Sequence, residues 1–241
     1  MNNIKKTIFT LNIYNYAPEI TKMTYPLMEK YATKIGADFH IITERKFPEW
    51  PVVYEKLQIY ELAKEMGNDW NFYFDGDALI HPDLFDPTMY LSKSQIMHSA
   101  SDLASNRWKY DEYFLRDGRN IGSCNWFTIA SDWCLDLWRP LDDLTFEQAL
   151  KNIQPIQVET NNSIPASHLI DDYTLSRNIA KYGLKFKSYL SLLEDLGQKD
   201  ATYFWHQYTY TNDKKAIEMR KILDNWMSDD GEPKVDGNIH K

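Results

Sequence analysis

Apolar positions along this chain switch between two periods. Lys6 to Tyr14 is rich in β-branched and aromatic residues and predicts a strand. Pro18 then opens a helix that runs to about Lys34 and stops at Gly36. Phe39 to Thr43 predicts a second strand, and Arg45 to Val53, with Pro48, Trp50 and Pro51, a loop. From Tyr54 to Met66 the spacing becomes helical: Ile59, Leu62, Ala63 and Met66 share a face, and Gly67 and Asn68 end the helix. Trp70 to Phe74 predicts a strand apolar on both faces between Phe72 and Phe74, as in a sheet covered on both sides. His81-Pro82 is a break, and Gln95 to Ser99 predicts a further strand.

In the second half, Asn120 to Ala130 holds a strand after a glycine-containing turn, and Asp132 to Leu137 starts a helix. Phe146 to Ile153 predicts a helix, Asn161-Asn162-Ser163 a loop, Asp171 to Tyr182 a helix ended by Gly183, and Lys185 to Leu190 a strand. This succession implies an α/β fold with a mainly parallel central sheet flanked by helices on both faces. The expected division is one domain over residues 1–225 and a polar, mobile tail over 226–241.

The chain has 241 residues, enough to bury a substantial core. Its 27 basic and 35 acidic side chains leave a net charge of −8, which argues against nucleic acid as a partner, since such binders carry a basic footprint. Two cysteines, Cys124 and Cys134, exclude a disulfide framework and fit a reducing compartment. The N-terminal apolar run is interrupted by Asn12 and Asn15 and reads as a strand rather than a secretory signal. No stretch reaches the roughly 18 apolar residues of a membrane span. A cytoplasmic location is the expectation.

The chemistry concentrates where the strand Trp70–Phe74 runs into Asp75-Gly76-Asp77. Two like charges separated by one glycine at the end of a buried strand are costly unless something neutralises them. Hard oxygen donors suit Mg²⁺ or Mn²⁺, which keep open positions for substrate phosphates. Gly76 allows a ligand close to the backbone. The competing reading is a hairpin, because Asp-Gly between apolar runs is a strong turn signal.

A strand ending in Asp75-Gly76-Asp77, a helix carrying Lys56 before it, a downstream Asp171-Asp172 and a late His206 together resemble the GT-A fold of nucleotide-sugar-dependent glycosyltransferases. The resemblance spans about residues 5 to 215 and is nearest to small galactosyl- and xylosyltransferase-like enzymes, including virus-encoded ones. It implies a single Rossmann-like domain. It further implies Mn²⁺ or Mg²⁺ on Asp75, Asp77 and His206, and a nucleotide diphosphate sugar, UDP-linked, as donor. Thr10, Leu11 and Asn12 at the C-terminal end of the first strand would line the base pocket, with Asn12 reading a uracil edge or capping a turn. Asp75, Gly76, Asn120, Gly122 and Ser123 would touch the donor.

Lys56 falls on the apolar face of its helix, where it needs a partner: a nearby carboxylate, a donor phosphate, or solvent reached by snorkelling. Lys214 and Lys215 are placed to clamp a diphosphate, although a solvated charge pair is the simpler role for at least one. Asp171 and Asp172 begin a helix, where a carboxylate caps well. By resemblance they would face donor sugar or acceptor, as general base in an inverting enzyme or as an orienting group in a retaining one. The late histidine favours retention. The acceptor expected is a glycan or another hydroxyl compound.

Two rivals remain. An apolar strand ending in Asp-x-Asp with a later Asp-Asp also resembles haloacid-dehalogenase-type phosphatases, with Asp75 as nucleophile. Leu79 and the 74 residues ahead of the motif disagree with that family. A sugar- or nucleotide-binding protein without turnover would keep the same pocket.

Overall fold

The computed structural model describes residues 4–99, 126–153, 156–157, 163–207 and 210–227. Its centre is a six-stranded sheet. The strands are β1 (Lys6–Leu11), β2 (Asp38–Ile42), β3 (Trp70–Phe74), β5 (Gln95–His98), β6 (Phe127–Ser131) and β9 (Lys185–Ser188), in the order β2-β1-β3-β6-β5-β9. Parallel pairings join β1 to β2 and β3, and β5 to β9; β6 is antiparallel to both its neighbours. Five strands therefore share a direction and β6 alone opposes them.

Every residue of β3 is buried, as its two-sided apolar run requires. On one face Ile8, Phe72, Phe74, Met97, Phe127 and Ile129 pack with Met28, Tyr31 and Ala32 of α1 (Pro18–Ile35) and with Leu192 and Leu193 of α5 (Tyr189–Asp195). On the other, Phe9, Tyr73, Ile96 and Ala130 pack with Ile59 and Ala63 of α2 (Ile59–Met66) and with Ile170, Tyr173 and Leu175 of α4 (Ile170–Lys181). Gly36 and Gly67 close α1 and α2 at φ of 65°, the left-handed conformation that glycine adopts without strain.

Several boundaries differ from the sequence expectation. The first strand ends at Leu11, because Tyr14 and Asn15 turn the chain with positive φ (58° and 54°). The expected helix from Tyr54 begins as 3-10 turns over Val52–Gln58, and only Ile59–Met66 is α-helical. Four consecutive residues, Tyr54, Glu55, Lys56 and Leu57, are buried there, which a one-faced α-helix cannot achieve. The Glu55 carboxylate also accepts from the Lys46 and Phe47 amides, tying this segment to the preceding loop.

Asp132–Trp138 is likewise 3-10, bent at Cys134, and α3 (Phe146–Asn152) starts with a capping box from Thr145 and Gln148. The strand expected to Leu190 stops at Ser188, because Tyr189, Leu192 and Leu193 are spaced to bury one helical face. Ser163, expected in a loop, starts β8 (Ser163–Ile164), which pairs with β7 (Ile156–Gln157). Asn120, Gly122, Ser123 and Cys124, with residues 228–241 of the expected tail, lie outside the described residues; Trp226, expected to open that tail, is buried at the end of the last helix. Among the described residues no helix is long and apolar enough to cross a membrane.

Candidate metal and donor site

Asp75-Gly76-Asp77 does not make a hairpin. After the turn the chain forms β4 (Leu79–Ile80), which pairs antiparallel with β10 (Phe204–Trp205) and not with β3. Because Trp205 lies opposite Leu79, the next residue, His206, arrives beside the aspartates. Its ring stacks on Trp126, whose backbone carbonyl accepts from the Asp75 amide at 2.9 Å. His206 Nε2 stands 3.7 Å from Asp75 Oδ2 and 3.4 Å from Asp77 Oδ1. One ligand atom from each of the three residues lies within 4.8 Å of the others.

The donor set, two carboxylate oxygens and an imidazole nitrogen, suits Mn²⁺ or Mg²⁺, the harder Mg²⁺ less so because of the nitrogen. Gly76 is required by the packing of the turn against the end of β1 and against α1. A Cβ on Gly76 would lie 3.0 Å from the Leu11 carbonyl oxygen and 3.2 Å from the Tyr25 hydroxyl. Thr24 Oγ1 donates to the Gly76 carbonyl at 2.6 Å, and Tyr25 donates to the Leu11 carbonyl at 2.9 Å, so α1 fixes the turn against the end of β1.

Two buried lysines flank the pair. Lys56, 1% exposed, reaches Asp171 Oδ2 at 2.6 Å and Asp75 Oδ1 at 3.4 Å, over the Tyr73 ring. Burial works against its charge, but Asp171 and Asp75 outweigh burial and hold the ammonium above its ordinary pKa. Lys215, from the first turn of α6 (Asn212–Trp226), bonds to Asp77 Oδ2. For Asp77 burial disfavours the charge, yet His206 and Lys215 more than offset it and keep the carboxyl well below the usual carboxylate range.

Lys56 thus has carboxylate partners, one of the alternatives open from sequence. Asp171 serves as its counter-ion and not as a cap: no side chain caps the start of α4. Asp171 Oδ1 is buried without a hydrogen-bond partner. Asp172 is also buried, and its backbone carbonyl accepts from the Ser176 hydroxyl. Thr10 is fully buried, and Asn12 beyond it donates its amide to the Ile42 carbonyl at 2.8 Å while its Oδ1 is buried without a partner. Lys214 is exposed, with its ammonium 3.6 Å from the Tyr210 ring centre.

Sequence reasoning missed Tyr73, whose hydroxyl donates to Asp75 Oδ1 at 2.6 Å, because it sits inside an apolar run. It also missed Trp126, the plate under His206.

This sheet order, with one reversed strand and the aspartates just past β3, is a fold shared with a solved glycosyltransferase structure. The chain is similar over 90% of its length, and over 98% of the other chain, to a glycosyltransferase involved in the glycosylation of the major capsid of PBCV-1, at 14% identity and a TM-score of 0.50. That likeness speaks for the fold. Weaker similarity connects it to Drosophila β1,4-galactosyltransferase 7 in complex with manganese, UDP-Gal and xylobiose (11% identity, 77% of this chain and 65% of that one, TM-score 0.39). A197 from STIV is similar at 11% identity, over 76% of this chain and 81% of the other, with a TM-score of 0.38. No protein-family model and no curated protein sequence matches the chain.

Proposed function

We propose that this protein is a metal-dependent glycosyltransferase that moves a sugar from a nucleotide diphosphate sugar, UDP-linked, to a hydroxyl of a glycan or similar acceptor. The observation that carries the reading is the convergence of Asp75 Oδ2, Asp77 Oδ1 and His206 Nε2 at the ligand edge of this fold, beside the buried Asp171. A divalent cation held by those three groups would offset the negative charge that grows on the leaving diphosphate.

The chain's own residues do the rest. Gly76 lets the turn that carries both aspartates pack against the end of β1, and the partnerless Asn12 Oδ1 is available to a base N–H. Lys56 fixes Asp171 through Oδ2 and leaves Oδ1 to accept from a substrate hydroxyl. In an inverting reaction that oxygen would take the acceptor's proton; in a retaining one it orients the donor sugar. Retention is the favoured course, on the late histidine. In the phosphatase reading Asp75 would attack through Oδ2, since Tyr73 and Lys56 both meet its Oδ1.

The test is thermal stability in a panel of nucleotide diphosphate sugars with and without Mn²⁺. A ligand at 100 times its Kd stabilises by about 2.7 kcal/mol. The expected result is a manganese-dependent rise in Tm with one UDP-sugar, followed by metal-dependent donor hydrolysis, both lost in a folded Asp77→Asn variant. Wild-type turnover in that variant would overturn the metal assignment. Binding with no hydrolysis or transfer would favour a binding protein, and hydrolysis of a simple phosphate ester with Mg²⁺ the phosphatase.

A further inference from the structure

The acidic pair divides its oxygens between two tasks. Asp75 Oδ1 meets Tyr73 and Lys56, while its Oδ2 faces His206. Asp77 Oδ2 is bonded to Lys215, while its Oδ1 faces His206. Each aspartate therefore has one oxygen committed to an ammonium and one turned toward the imidazole. The two lysine side chains are 1% and 7% exposed, so water does little to screen their charges.

We infer that Lys215 is a positioning residue that makes cation binding at this site conditional on an anionic ligand. The inference rests on the metal reading proposed above. With Asp77 bonded to Lys215, and Asp75 sharing Lys56 with Asp171, the pair attracts a bare divalent cation less than two free carboxylates would. A cation that arrives with a diphosphate brings its own counter-charge. The ammonium that opposes the bare cation attracts the phosphates that accompany it. Metal and nucleotide then strengthen one another's binding, and by linkage the factor is the same in both directions.

Lys215 has the stronger claim to this role of the two. Lys56 is held between two carboxylates and cannot leave without uncovering both, whereas Lys215 has one such partner among the described residues and enters from the end of a helix. Lys221, further along α6, is exposed and pairs only with Glu218 among the described residues, which makes it a control for loss of one charge on the same helix.

The experiment measures Mn²⁺ binding by electron paramagnetic resonance, with and without saturating UDP, in the wild type, Lys215→Met and Lys221→Met. The wild type is expected to hold bare Mn²⁺ weakly and to tighten strongly with UDP. Lys215→Met should bind bare Mn²⁺ about tenfold more tightly, since a unit charge a few ångströms from the cation is removed. The tightening that UDP brings should shrink by a similar factor, and Lys221→Met should match the wild type.

Unchanged or weaker binding of bare Mn²⁺ in Lys215→Met, with UDP and Mn²⁺ still bound together, overturns the inference and leaves the metal reading standing. No protein-bound manganese in any of the three, with or without UDP, overturns both. If Lys215→Met fails to fold, wild-type thermal shifts decide. A rise with Mn²⁺ and UDP together that exceeds the sum of the separate rises supports the coupling, and a simple sum overturns it.

Discussion

His98 shows what a single buried polar group contributes away from the site. It lies in β5 with no exposure, opposite Thr128 of β6, and neither ring nitrogen has a hydrogen-bond partner. Burial pulls its pKa down from 6.5 to about 4. The folded protein therefore holds a neutral imidazole where the unfolded chain would bind a proton. Its contribution to stability is intact above about pH 6.5 and is lost progressively as pH falls toward 4, at a slope approaching about 1.4 kcal/mol per pH unit. We expect His98→Phe to flatten the fall in Tm between pH 7 and pH 5; a variant with the wild-type slope would rule His98 out as its source. Asp75 and Asp77 of the candidate metal site were legible because paired carboxylates after a buried strand need neutralising, and His206 beside them only through the family resemblance. The choice between Lys214 and Lys215 was not, since it depends on which of two neighbours a helix turns inward, and no helix was recognised there.

That helix is the instructive case at the scale of elements. Thr211 caps it, and Ala216, Met219 and Trp226 recur at helical spacing to pack with Ile20, Leu27 and Leu79. The signal was present in the sequence, diluted by the charged residues that fill the exposed face. Trp226 anchors the C-terminal end, 4% exposed and edge-on to His81. Replacing it by alanine should cost about 3 kcal/mol, read as a lower urea midpoint. Because α6 delivers Lys215 from its other end, the same change should disturb Mn²⁺ binding with UDP; full stability in Trp226→Ala would show that α6 is not anchored there. The 3-10 segment ahead of α2 was harder to read. Its buried Glu55 looks like a surface residue until its partner Arg45 is in view, whereas Lys56 already stood out on an apolar face and only the identity of its partner, Asp171, was open.

At the scale of the whole molecule, one sheet serves both cores, so neither face can be stripped without exposing the other. Far-UV circular dichroism and tryptophan fluorescence should then report one coincident unfolding transition in urea, as expected for the single domain proposed over residues 1–225. Two separated transitions would divide it. The α/β class and a mainly parallel sheet followed from the alternation of strands and helices, while the reversal of β6 did not, because periodicity carries no direction for a single strand.

That reversal has a consequence for how this protein can change. Ser99, just past β5, donates its amide to Phe127 at 3.1 Å, and the Trp126 carbonyl is bonded to Asp75. Since β6 runs against its neighbours, β5 ends and β6 begins on the edge that carries the aspartates. The bonds that tie this edge to Asp75 are backbone bonds, so evolution, or an engineer, can exchange side chains along it, proline apart, while the framework beneath stays the same.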